Sequence, residues 1–172
     1  MRTKFSKAYK YLRLVFYAAA IATVVFIFVN SALPPETSSQ QSEAVSGIIA
    51  EIIPEDTPIG SFIIDNVRKI AHFTEYGLLG IIVSLYITVY KKKRALWGLG
   101  SLALSLVVAF SDESIQILSG RGPSVADMWI DIGGFATYSL LTYGSAVAIY
   151  YLVKLAVHLV KQGGNFKKNH NT

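Results

Sequence analysis

His72 and Glu75 stand three residues apart, Glu113 and Gln116 three apart, Asp112 and Gln116 four apart, and Asp127 and Asp131 four apart. Each spacing puts both members on one face of a helix. A histidine beside a carboxylate can act as a general base or as a metal-binding pair, and its plain alternative is a hydrogen-bonded pair that fixes helix packing. At Asp112, Glu113 and Gln116 one carboxylate could serve as acid or base while the amide orients water or substrate. Lys69 and Arg121 are suited to an anionic group, with Arg121 also able to neutralise a neighbouring carboxylate. A divalent cation could be held by hard oxygen ligands from Glu75, Asp112 or Glu113, and Asp127 or Asp131. Asp127 alone reads equally well as a first-turn carboxylate favoured by a helix dipole. Serine, threonine and asparagine would make a purely structural network at lower cost, so carboxylates crowded around one histidine point to function.

The elements that must carry these residues are written in the hydropathy. Of 172 residues, 52% are hydrophobic and 16% charged, and four segments approach the roughly 20 apolar residues that a ~30 Å hydrocarbon core requires. These expectations describe an all-α, polytopic membrane protein with four transmembrane helices and an outer-side amphipathic helix. The spans are expected at 14–30, 70–90, 95–116 and 125–153, between a basic N-terminus at 1–13, an extracellular segment at 31–69 and a basic tail at 154–172. Thirteen of the 16 basic residues flank one side of these spans, and the 11 acidic residues fall on the other side or at its boundary. Basic residues mark the cytoplasmic side, which puts both termini in the cytoplasm and the acidic cluster outside. The same distribution argues against nucleic acid as a partner, despite a net charge of +5, and for membrane lipid. The first span also fits a signal peptide, but its length and the poor cleavage site at Asn30-Ser31-Ala32 favour a retained helix. Cysteine is absent, which excludes thiolate metal sites and cysteine nucleophiles.

Span length explains how charge reaches the membrane. The uncharged run before Lys91 covers only about 22 Å at ~1.5 Å per residue, so that helix should extend outward through Glu75, His72 and Lys69. The third needs to run on through Asp112, Glu113 and Gln116, while the fourth is long enough to leave Asp131 at its outer boundary and Asp127 one turn beyond. Ionisable faces turned to lipid are costly, so these three helices should turn them toward one another. Between the third and fourth, Ser119–Ser124 reads as a tight turn with Arg121 at its tip and Ser124 as the next N-cap. An apolar stripe over Ser42–Ile53, broken by Pro54, should lie on the outer surface or cover the site, and Thr57-Pro58 reads as a helix start. Gly77, Gly80, Gly98, Gly100, Gly133 and Gly134 are expected to permit close helix approach. Phe73, Tyr76, Trp97 and Trp129 read as core or interface aromatics.

Four pieces together resemble a known family: K-x-x-H-F-x-E-Y-x-x-L-G over Lys69–Gly80, D-E-x-x-Q over Asp112–Gln116, G-R at Gly120–Arg121, and D-x-x-x-D-x-x-G over Asp127–Gly134. The combination resembles the VanZ-like proteins, small bacterial membrane proteins named for one linked to teicoplanin resistance, over about residues 38–141. The resemblance implies that Lys69, His72, Glu75, Asp112, Glu113, Gln116, Arg121, Asp127 and Asp131 are the family's polar motif residues, although many members carry asparagine where this chain has Asp131. It also implies association with the cell envelope and, for some members, lower susceptibility to lipoglycopeptide antibiotics.

Three functions follow as expectations. The first is an enzyme acting at the outer face on a lipid-linked envelope precursor, with His72, Glu75, Asp112, Glu113, Gln116 and Asp127 in catalytic roles and Lys69, Arg121 and Asp131 binding substrate. The second is a non-catalytic protein that binds a surface lipid or the antibiotic's target. The third, an ion-coupled transporter, is disfavoured because acidic residues are missing near the inner side, and it would need to oligomerise.

Overall fold

The computed structural model describes residues 2–90, 94–122 and 124–169, with side chains described over 7–90, 96–122 and 124–160. It is all helical: α1 (Arg2–Ser31), α2 (Pro35–Ile52), α3 (Pro58–Asp65), α4 (Val67–Tyr90), α5 (Arg94–Leu118) and α6 (Val125–Asn169). Four of these are long and apolar enough to cross a membrane, through Lys7–Ser31, Val67–Tyr90, Leu96–Leu118 and Val125–Val160. α6 continues without a break into the basic tail, and its 45 residues extend about 68 Å at ~1.5 Å per residue, more than twice the hydrocarbon thickness. Large apolar side chains such as Val25, Leu104 and Leu140 are exposed on the bundle's flanks, as a lipid-facing surface requires.

Local chemistry sets the boundaries. Pro35 opens α2 at its first turn, where a missing N–H costs nothing, and the helix then runs through the serine- and glutamine-rich stretch to Ile52. It therefore starts earlier than the apolar stripe at Ser42 suggested. Ile53, held extended before Pro54, ends it. Thr57 caps α3 by accepting the Gly60 N–H at 3.0 Å, with Pro58 in the first turn. Gly120, at φ +88, closes α5: its N–H donates to Ile117 O and the Arg121 N–H to Gln116 O, the pair of bonds that defines a Schellman end. Ser124 then caps α6, its hydroxyl accepting the Asp127 N–H at 3.2 Å.

α4 is the central helix, packing most extensively on α6 and next on α1. The α4–α6 seam depends on small residues. A Cβ added to Gly134 would lie 2.2 Å from the Phe73 carbonyl oxygen, and one on Gly80 would lie 2.5 Å from that of Phe135. Ile27, Tyr76, Leu79, Ala109 and Phe135 form the buried core where α1, α4, α5 and α6 meet. Nearer the opposite end, Tyr9, Phe16 and Tyr17 of α1 pack on Tyr86 and Tyr90 of α4, with the Tyr90 hydroxyl donating to Tyr9 O at 3.0 Å.

Gly98 and Gly100 depart from expectation, since nothing lies within 4 Å of a Cβ placed on either. Among the described side chains of α5, the buried ones are Ser105, Ala109, Asp112, Glu113 and Gln116, from the middle of the helix to its C-terminal end. The helix is thus held by its polar end, and its first half stands off, leaving an apolar cleft of about 480 Å³ edged by Gly98, Ser101, Ile87 and Tyr143.

Candidate functional site

The N-terminal turns of α4, the C-terminal turns of α5 and the N-terminal turns of α6 meet at one end of the bundle. On α4, Arg68, His72, Glu75, Tyr76 and Leu79 recur at steps of three and four and so face the neighbouring helices. Asp112 is 0% exposed, Asp131 2% and Gln116 2%, values that place these side chains inside the bundle rather than toward lipid. His72 Nδ1 lies 3.9 Å from Asp112 Oδ2 and 3.8 Å from Asp131 Oδ1. One ionisable group from each of three helices thus converges on a common point.

A polar network supports this centre. Gln116 Nε2 donates to Asp112 Oδ2 at 2.9 Å, and Arg68 Nη2 donates to Gln116 Oε1 at 2.9 Å. Asn30, the penultimate residue of α1, donates from Nδ2 to Glu75 Oε1 at 2.9 Å. His72 Nδ1, Asp112 Oδ1, Asp131 Oδ1, Glu75 Oε2 and the Tyr76 hydroxyl are buried without a hydrogen-bond partner among the described residues. The Tyr76 side chain, 0% exposed, lies within electrostatic reach of Asp112, Asp131 and Glu75.

Arg121 and Glu113 are engaged with backbone instead. Arg121 Nη2 donates to Leu33 O at 3.0 Å and Asn30 O at 3.3 Å, and Ser119 Oγ donates to Ser31 O at 2.9 Å. The α5–α6 turn thereby supplies donors to the Ser31 and Leu33 carbonyls, at and just beyond the end of α1, and a second donor to Asn30 O, which also accepts the Leu33 N–H. Burial, and then the Arg68 charge, act to lower the pKa of the Arg121 guanidinium, with Asp112 opposing them. Glu113 Oε1 accepts the Ser124 N–H ahead of α6, so its carboxylate helps cap the helix that carries Asp127 and Asp131.

A polar cavity of about 160 Å³ opens onto His72 and is lined by Asp65, Asn66, Arg68, Lys69, Asp127 and Ile130. Lys69 is exposed and Asp127 half-buried, so both stand on the approach to His72 while Asp112 and Asp131 lie deeper. A second groove, of about 520 Å³, runs along the serine face of α2 past Ser42 and Ser46 to Arg68. Arg68 therefore borders both.

The structure brings together His72, Asp112, Asp131 and Gln116 directly, and Glu75, Asp127 and Lys69 at the margins. Of the oxygens expected to hold a cation, one from Glu75 and one from Glu113 accept hydrogen bonds, and the closest donor set combines Asp112 and Asp131 with His72, with ligand atoms within 4.8 Å of one another. Four contributors were not foreseen: Asn30, Ser31, Arg68 and Tyr76. Arg68 carried a signal, since it lies one α-turn before His72, but Lys69 at the three-residue spacing fits the same pattern. Asn30 and Ser31 look like an ordinary polar flank to a first span.

Four apolar helices around a polar, carboxylate-rich pocket at one end define a multi-pass helical membrane protein. The VanZ/LLP1 family matches residues 14–150, most of the chain, and the protein belongs to that family. Its members are membrane proteins linked in general to glycopeptide resistance. No curated protein and no solved structure matches the chain.

Proposed function

We propose that this protein contributes to glycopeptide resistance, teicoplanin included, as an enzyme acting on a lipid-linked precursor at the outer face of a bacterial membrane. The observation that carries the reading is the approach of His72 to Asp112 and Asp131 at 3.8–3.9 Å beneath a polar cavity edged by Lys69 and Arg68. The cations at the mouth suit an anionic head group, such as a phosphate ester, and the floor offers a histidine and two carboxylates to bind or act on it. The excess of Lys and Arg at the opposite end of the helices supports an outward orientation, with both termini inside.

The use of Arg121 and Glu113 as caps favours a second reading, in which the pocket binds a surface lipid or the antibiotic's target without turnover. Expression in a susceptible strain distinguishes the two. Wild-type protein is expected to raise the teicoplanin minimum inhibitory concentration, and His72→Gln and Asp112→Asn to return it to the empty-vector value at unchanged membrane level. Mass spectra of envelope lipids should change only with the wild type. Raised resistance with unaltered lipids would favour binding, and variants as protective as the wild type would overturn both readings.

A further inference from the structure

We propose that His72, Asp112 and Asp131 form a binding site for one divalent transition-metal ion, of the class that takes imidazole nitrogen together with carboxylate oxygen. The first ground is distance. An ion with metal–ligand bonds of about 2.0–2.2 Å in tetrahedral array sets its ligand atoms roughly 3.4 Å apart, and His72 Nδ1 stands 3.9 Å from Asp112 Oδ2 and 3.8 Å from Asp131 Oδ1. Small side-chain rotations close that gap, whereas both separations are too long for a direct hydrogen bond.

The second ground is the state of the donor atoms. Asp131 Oδ1 and Asp112 Oδ1 belong to side chains 2% and 0% exposed, and neither oxygen, nor His72 Nδ1, has a hydrogen-bond partner among the described residues. Buried carboxylates require a cation or a donor. Asp112 receives one neutral donor, Gln116 Nε2, and the arginines add none, since Arg68 donates to the Gln116 amide oxygen and Arg121 to the carbonyls of Asn30 and Leu33. Among the described residues neither guanidinium is in ion-pair contact with a carboxylate.

The surroundings also fit a metal centre. Gln116 holds Asp112 from behind and is itself held by Arg68, the outer-shell arrangement that fixes ligand orientation. Three protein ligands leave coordination positions for water or substrate, and the polar cavity that reaches His72 supplies the route. One nitrogen and two carboxylates favour Zn²⁺ or Mn²⁺ over the all-oxygen preference of Mg²⁺ and Ca²⁺. The inference rests on the same pocket as the proposed function, but it holds for a catalyst and for a binding protein alike.

The test uses full-length protein purified in detergent, stripped with chelator and titrated with Zn²⁺ or Mn²⁺ alone. Elemental analysis after dialysis is expected to give one ion per chain, with affinity lowered at least ~tenfold by His72→Gln and by Asp112→Asn. Asp56→Asn, exposed and remote in sequence from the cluster, should leave it unchanged. Because either pocket variant could misfold, a chain with the pocket intact provides an independent readout: spin-echo modulation of bound Mn²⁺ by a histidine nitrogen should persist in the His158→Gln, His170→Gln double variant, in which His72 is the one histidine left. Folded protein that binds no stoichiometric ion, or pocket variants that bind the ion as tightly as the wild type, would overturn the inference. Intact metal binding with no resistance phenotype would remove the proposed function and leave the site standing.

Discussion

Arg121 and Glu113 direct their side chains to backbone groups at the ends of neighbouring helices, Asn30 and Leu33 for the one and Ser124 for the other, and this shapes what their substitution should do. Arg121→Ala leaves the Leu33 carbonyl without its donor and the Asn30 carbonyl with the Leu33 N–H alone; a loss of about 2–3 kcal/mol is expected for charge-assisted bonds in a buried turn. Arg121→Lys should recover only part, because one ammonium cannot reproduce the guanidinium fork. Thermal unfolding in detergent reads both. Glu113→Gln keeps an acceptor for the Ser124 N–H and should stay close to wild type in stability. Glu113→Ala should cost about 1–2 kcal/mol. Wild-type stability in Arg121→Ala and Glu113→Ala would show that neither contact caps a helix. Residue type revealed which groups could do chemistry, but not which would be diverted to capping, because that depends on a turn geometry set by Gly120 and on the end of α1. The choice between Arg68 and Lys69 was likewise hidden, since steps of three and four both reach the His72 face, and packing alone turns Arg68 inward and Lys69 out.

At the scale of elements, the glycines separate the packed seam from the open one. Gly134→Ala would drive a methyl group into the Phe73 backbone, and Gly80→Ala into that of Phe135. Backbone cannot yield as a flexible side chain would, so each is expected to cost at least ~1–3 kcal/mol and to lower the yield of folded protein. Gly98→Ala and Gly100→Ala meet nothing within 4 Å; the better helix propensity of alanine should make them neutral or stabilising by up to ~1 kcal/mol. Unfolding temperatures of the four variants, measured side by side, check the contrast. The four spans were legible because apolar run length is a direct consequence of bilayer thickness. Shortfall in two of those runs also indicated that the polar residues belong to the helices. The open half of α5 was not legible, since a glycine reads the same beside a neighbour and beside a cleft.

Across the whole molecule, charge divides as the pocket does. Lys7, Lys10, Arg13 and Lys154 lie toward the end away from His72, while Asp65 and Asp127 line the polar cavity and Glu43 and Glu55 the groove that Arg68 shares with it. If the basic end is retained in the cytoplasm, the cavity over His72 meets head groups and envelope precursors rather than cytosolic solutes. The fold class and the family pattern both follow from the sequence; sidedness rests on charge alone. The chain contains no cysteine, so single cysteines can be introduced without background. The most direct measurement labels Asn66→Cys, at the lip of the polar cavity, and Lys154→Cys on α6 with a membrane-impermeant maleimide. Asn66→Cys should label in intact cells and Lys154→Cys only after permeabilisation; the reverse pattern would contradict an outward-facing site.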